Sequence, residues 1–343
     1  MHLKDDVLQA MGMGKVFKDA TAAINALDFH RTEDLLVTSG DDDQVCLYNV
    51  ETGRRECVVH SRKYGAGNIC FTHHPGTVVY SSRKGPNHAV RYHALHDNRY
   101  LRYFDRHEDT VRSLAVSPIN DLLISCGADN KVYLWDLRSP TAQGVMGTKN
   151  DPCAAFDEQG LIFAVATASG LVKMYDMRKY QHGEFERFHI ADADGAEPTI
   201  ASLRFSLDGK RMLAVGGGAV YVLDAFDGSQ LCRVATGDGG PGSHGTTGAG
   251  APTPAHHRPL GACFTPDGRC VMTGCEDRSI RVYEIEEGGK VDAPREVACW
   301  PGHAGRPTCV RFAPRRLLAA SACQGLALWV PDLSKCGTDL FAE

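Results

Sequence analysis

Two series of short strand-like segments recur in step along the chain, and a recurrence with a steady period constrains a fold more tightly than any single motif. The first series ends on an aromatic or other large residue: VCLYN at Tyr48, AVRYH at His93, VYLWD at Trp135, VKMYD at Tyr175, VYVLD at Leu223, IRVYE at Tyr283 and LALWV at Trp329. The second precedes it each time: ALDF at Phe29, NICF at Phe71, SLAV at Val116, CAAF at Phe156, SLRF at Phe205, GACF at Phe264 and CVRF at Phe312. Steps in the first series are 45, 42, 40, 48, 60 and 46 residues. Both series have seven members in the same order. A unit of this length makes one small twisted sheet that cannot bury both faces alone, so the units must stack and shield one another.

A period near 40 to 45 residues, four short strands per unit and the Trp135-Asp136 pair resemble the WD40 repeat. The expected fold is therefore all-β, a seven-bladed WD40 β-propeller formed by residues 1–343 as a single domain. Only 14 residues follow Trp329, which leaves the seventh unit without a fourth strand. The N-terminal piece MGKVFK, around Lys15 to Lys18, is expected to supply it and close the ring, removing an exposed edge. The 60-residue step contains TGDGGPGSHGTTGAGAPTPAHHR (236–258), whose Gly, Pro, Ser and Thr content predicts a flexible loop between the fifth and sixth blades.

In the third unit a complete WD40 set would link His107, Ser125, Asp129 and Trp135. Imidazole, hydroxyl, carboxylate and indole can satisfy one another in a buried relay, which makes these residues structural. The same residue types could form a Ser-His-Asp hydrolase, but no oxyanion-hole motif accompanies them. The first unit retains Thr38, Asp42 and Tyr48, the sixth Thr273, Asp277 and Tyr283, and the seventh His303 and Trp329 without the Asp; Ser169 and Gly217 replace the Asp in the fourth and fifth.

Other chemistry-bearing residue types lack a workable pattern. Met13-Gly14-Lys15 is short of a P-loop. Asp192, Asp194 and Gly195 lack the closing Glu of a calcium loop. Asp41, Asp42 and Asp43 fall in a turn, while His73-His74, His256-His257 and the set His88, His93, His96 have no ligands at zinc spacing. No metal or cofactor is expected, and the reading is not that of an enzyme. The 13 cysteines are odd in number, have no C-x-x-C spacing and fall mostly in apolar runs, as expected of reduced, buried thiols. A formal charge of −5 disfavours nonspecific binding to nucleic acid or acidic lipid. No signal peptide or membrane-spanning run is expected, because MHLKDDVLQA carries an acidic pair and no apolar run is long enough to span a bilayer.

What remains is surface. In a propeller the b–c turns and d–a loops share one face, where partner peptides dock. Arg83, Lys84, Arg106, Lys131, Arg278 and Arg306 are expected there, a set of cations suited to an acidic or phosphorylated peptide.

Several segments carry a more specific resemblance. RKYGAGNICFTHHPGTVVYSS (62–82), VRYHALHDNRYLRYFDRH (90–107), LWDLRSPTAQGVM (134–146), FDEQGLIFAVA (156–166) and FAPRRLLAASACQGLALWVPD (312–332) are similar to the small WD40 subunit shared by the COMPASS histone methyltransferase and the RNA polymerase II termination machinery. HDNRYLRYF and SACQGLALWVP are the most specific parts, since no WD40 blade requires them. The resemblance covers nearly the whole chain. It implies a noncatalytic nuclear adaptor, a monomer within larger complexes, without sequence-specific nucleic-acid or membrane binding. The implied partners are a SET-domain methyltransferase acting on lysine 4 of histone H3, a protein phosphatase one targeting scaffold, and the phosphorylated C-terminal domain of RNA polymerase II. A rival resemblance lies in LISCGADNKVYLWDLR, which matches the docking pattern of cullin-RING ubiquitin ligase receptors through Asp136 and Arg138. VKMYDMR, with Arg178, is a weaker second copy.

Overall fold

A computed structural model describes residues 3–192, 195, 197–216, 218–236, 260–285, 294–332 and 334. Seven four-stranded antiparallel sheets account for nearly all regular structure. The first blade is Ile24–Phe29, Leu35–Gly40, Gln44–Asn49 and Arg54–His60, strands a to d in chain order, and the next five blades repeat that order. In the third, Val111–Val116, Leu122–Gly127, Lys131–Asp136 and Ala142–Gly147 pair in sequence. The seven-bladed WD40 propeller read from the repeat is the fold observed.

Strands b and c are apolar on both faces because each is covered by a neighbouring blade. Leu123, Ile124, Val132 and Trp135 are all at most 1% exposed, and the apolar clusters run across blade boundaries, as where Ile124 and Val132 join Phe156 and Phe163. Strand a is innermost. Residues of this strand from six blades, among them Cys70, Leu114, Arg204 and Arg311, line a central cavity of about 750 Å³.

The last blade closes on the N-terminus. Its sheet runs Met11–Phe17, Leu326–Pro331, Ala319–Ala322, Cys309–Phe312, with Gly12 opposite Val330 and Phe17 opposite Leu326. Pairing therefore begins earlier than the expected Lys15 and ends before Lys18. A feature absent from the sequence reading precedes it: the helix Asp5–Gln9 lies on the outer strand of blade six, Glu296–Trp300. Trp300 Nε1 donates to the Leu8 carbonyl at 2.8 Å, the Leu3 amide donates to Asp267, and Arg295 and Arg269 both pair with Asp5. The N-terminus thus bridges blades six and seven. Of the expected 236–258 loop, residues 237–258 lie outside the described residues, as do Asp194, Gly217, His256 and His257. No helix is long and apolar enough to cross a membrane among the described residues, and the cysteines described are free, mostly buried, with Cys299 exposed.

Candidate interaction faces

Antiparallel order a-b-c-d puts every a–b and c–d turn at one end of the ring and every b–c turn and d–a loop at the other. The two faces carry different chemistry.

Blade three brings its four polar residues together. His107 Nδ1 lies 3.0 Å from Asp129 Oδ2, and its Nε2 lies 2.7 Å from Ser125 Oγ. Trp135 Nε1 donates to the same Oγ at 2.8 Å. Asp129 also accepts from the amides of Glu108 and Lys131, tying the d–a loop to the b–c turn. Asn130 takes the left-handed conformation that turn requires, φ 59°. A side-chain carbon on Gly127 would strike both His107 and Asp129, so only glycine fits there. The connectivity is that of a Ser-His-Asp triad, but Ser125 is fully buried and its oxygen is already engaged by the indole. No substrate carbon can reach it. Burial lowers the His107 pKa against the pull of Asp129.

Elsewhere the set is reduced to its turn. Asp42 accepts from the amides of Thr21 and Gln44, and Asp277 from the amide and hydroxyl of Ser279. In blade four Ser169 meets Thr167 at 3.0 Å. In blade seven, where the sequence shows no Asp, Cys323 occupies its place: its Sγ lies 3.3 Å from His303 Nδ1. Cys323 lies two positions after Ser321, against four from Ser125 to Asp129, and this shorter turn hides the equivalence. The remaining signal is a serine in strand b combined with a His before strand a.

The six expected cations do lie on the b–c face, and most are paired there. Arg83 bonds Asn25 Oδ1 at 2.8 Å and pairs with Asp41 of the neighbouring blade. Lys84 pairs with Asp43 and Lys131 with Glu108, at 2.6 and 2.7 Å. Arg306 pairs with Glu276 across the next seam. Arg106 and Arg278 are exposed and have no acidic partner among the described residues. The rim is thus a mixed-charge surface rather than a uniformly basic one.

On the opposite face Arg138 is 75% exposed. Its Nε and Nη2 hold Asp136 at 2.9 and 2.8 Å, and this bidentate contact lowers the Asp136 pKa. Arg138 thus braces its own blade rather than the neighbouring one. Arg178 is exposed in the equivalent turn of blade four, where its amide donates to Asp176. No three His, Cys, Asp or Glu side chains converge on a metal-sized site among the described residues. His93 is instead held by Asn98 and stacked on Tyr100.

A closed seven-blade ring with a complete His-Ser-Asp-Trp relay defines a WD40-repeat scaffold. The family model "WD domain, G-beta repeat" matches residues 13–49, 98–136 and 253–284. WD repeat-containing protein 82 of Drosophila melanogaster is 36% identical, covering 96% of this chain and 98% of its own length. Set1 complex component swd2 of Schizosaccharomyces pombe is 34% identical over 82% of this chain and 77% of its own. The chain belongs to the family of WD40-repeat proteins that these two represent. The human DDB1- and CUL4-associated factor 5 is 32% identical over 34% of this chain and 12% of its own length.

Proposed function

We propose that this chain is a noncatalytic adaptor in nuclear chromatin and transcription complexes. It tethers a SET-domain histone H3 lysine 4 methyltransferase, a protein phosphatase one complex, or both, to RNA polymerase II. The observation that carries this reading is similarity over 82% of this chain to a protein named as a Set1 complex component, on a fold whose blade-three Ser-His-Asp constellation is sealed. Phosphorylated segments of the polymerase C-terminal domain are assigned to the b–c face, where Arg83, Lys84, Arg106, Lys131, Arg278 and Arg306 provide charge-assisted donors. The purified chain should bind a serine-phosphorylated peptide of that domain more tightly than its unphosphorylated form, and Arg83→Ala/Lys84→Ala should remove most of the difference. An unchanged preference in the double variant would reject this rim assignment.

A second reading is kept for the opposite face, where the exposure of Arg138 beside Asp136 suits docking on a cullin-RING ligase adaptor. Arg138→Ala should then abolish co-purification of a cullin while leaving phosphopeptide binding intact.

A further inference from the structure

Blade seven repeats the relay of blade three with one exchange. His303 Nε2 and Trp329 Nε1 meet Ser321 Oγ at 2.5 and 2.7 Å, as His107 and Trp135 meet Ser125. At His303 Nδ1, however, the acceptor is Cys323 Sγ rather than a carboxylate. The backbone amides of Gln324 and Gly325 also act on this sulfur to lower its pKa. Cys323 thus sits where the fold places an anion.

The surroundings act on the thiol in two directions. Burial raises its pKa, but the His303 contact and the two amides outweigh it and bring it down to about 7. At other cysteines burial outweighs the donors present, pushing Cys46 up to about 11 and Cys153 and Cys263 up to about 12. The titratable group facing the sulfur is His303, from the loop between strands Glu296–Trp300 and Cys309–Phe312. From blade one, the Ile24 amide donates to the Cys323 carbonyl at 2.8 Å. Gly302 and Gly305 flank His303, and a methyl group at Gly305 would stand 3.6 Å from Sγ. Cys323 is 7% exposed, so any reagent that reaches the sulfur must be small.

We propose that Cys323 is a covalent modification site, a nucleophilic thiolate at the seam between blades seven and one that reacts with small electrophiles, including hydrogen peroxide. With peroxide, Sγ attacks one oxygen, the S–O bond forms as the O–O bond breaks, and hydroxide departs to become water by taking a solvent proton. Sulfur is oxidised to the sulfenic acid and peroxide is reduced. With iodoacetamide the S–C bond forms and iodide leaves. Either adduct displaces His303 and presses on the turn that holds Ile24, on the same face as Arg83 and Arg306.

The test treats the full-length folded protein with limiting iodoacetamide between pH 5.5 and 9.5 and reads each cysteine by peptide mass spectrometry. Cys323 should reach half its plateau labelling rate near pH 7, and His303→Asn should move that midpoint up by more than one unit. Peroxide followed by dimedone should tag Cys323 in the wild type. Exposed Cys299 reports reagent competence. Labelling of Cys299 without Cys323, or a wild-type Cys323 midpoint above pH 8.5, would overturn the proposal whether or not the His303 variant folds.

Discussion

Ser125→Ala removes the oxygen at the centre of the blade-three relay. That oxygen accepts from Trp135 Nε1 at 2.8 Å and meets His107 Nε2 at 2.7 Å, with Trp135 and Ser125 fully buried and His107 5% exposed. Each lost hydrogen bond is worth about 1 kcal/mol net, and leaving the indole N–H and the imidazole nitrogen unpaired costs about 1–3 kcal/mol more. Removal of a single oxygen leaves no void that water can enter, so the expected loss is about 3–5 kcal/mol. A chain of this length unfolds with an entropy near 0.7 kcal/mol/K, which converts the loss to a melting-temperature drop of about 4–7 °C. Differential scanning calorimetry reads it directly, with Ser139→Ala, whose half-buried hydroxyl meets only Thr141 of the same surface turn, as a control expected to stay within 1 °C. Asp129→Ala combined with Ser125→Ala should be less than additive, because both act through His107. A drop below 1 °C for Ser125→Ala, or full additivity with Asp129→Ala, would refute the relay as a source of stability.

Three further outcomes follow from the same geometry. Deleting residues 1–18 removes the outer strand of blade seven and the Trp300–Leu8 contact, and should lower the melting temperature by more than 10 °C or abolish soluble expression; an unchanged melting temperature would contradict ring closure by the N-terminus. Burial depresses the pKa values of His30, His93 and His107 below the ordinary 6.5, so the unfolded chain takes up protons that the folded chain refuses and stability falls as pH drops below about 6.5; denaturant midpoints at pH 7 and 5.5 check this. Asp28 acts oppositely, since burial raises its pKa to about 6 and stability is lost as pH rises through that value; Asp28→Asn, whose carboxamide oxygen can still accept from the Phe71 amide, should therefore stabilise the protein at pH 7.5 relative to pH 4.5, and no gain at pH 7.5 would contradict this.

The inner strands were legible because burial on both faces writes them as apolar runs bounded by turns, as in Leu122–Gly127 and Lys131–Asp136. The blade-three relay was legible because each member is a distinctive residue type at its expected place. The helix Asp5–Gln9 was not, since five residues carry too little periodicity and its position depends on Trp300, nearly 300 residues away. Cys323 escaped notice because a shortened turn shifts it relative to Asp129 and because sulfur at an acid's position is not part of the pattern. The rim cations were readable as charges, but their pairing was not: Arg83 and Lys84 find Asp41 and Asp43 only when blade two stands beside blade one.

The central claim is tested most directly by affinity purification of the tagged chain from nuclear extract, with Arg138→Ala and Arg83→Ala/Lys84→Ala in parallel. The adaptor account predicts recovery of a SET-domain methyltransferase or a phosphatase one scaffold, undiminished by Arg138→Ala, with polymerase reduced in the rim variant. Recovery chiefly of a cullin and its adaptor, lost in Arg138→Ala, would contradict it.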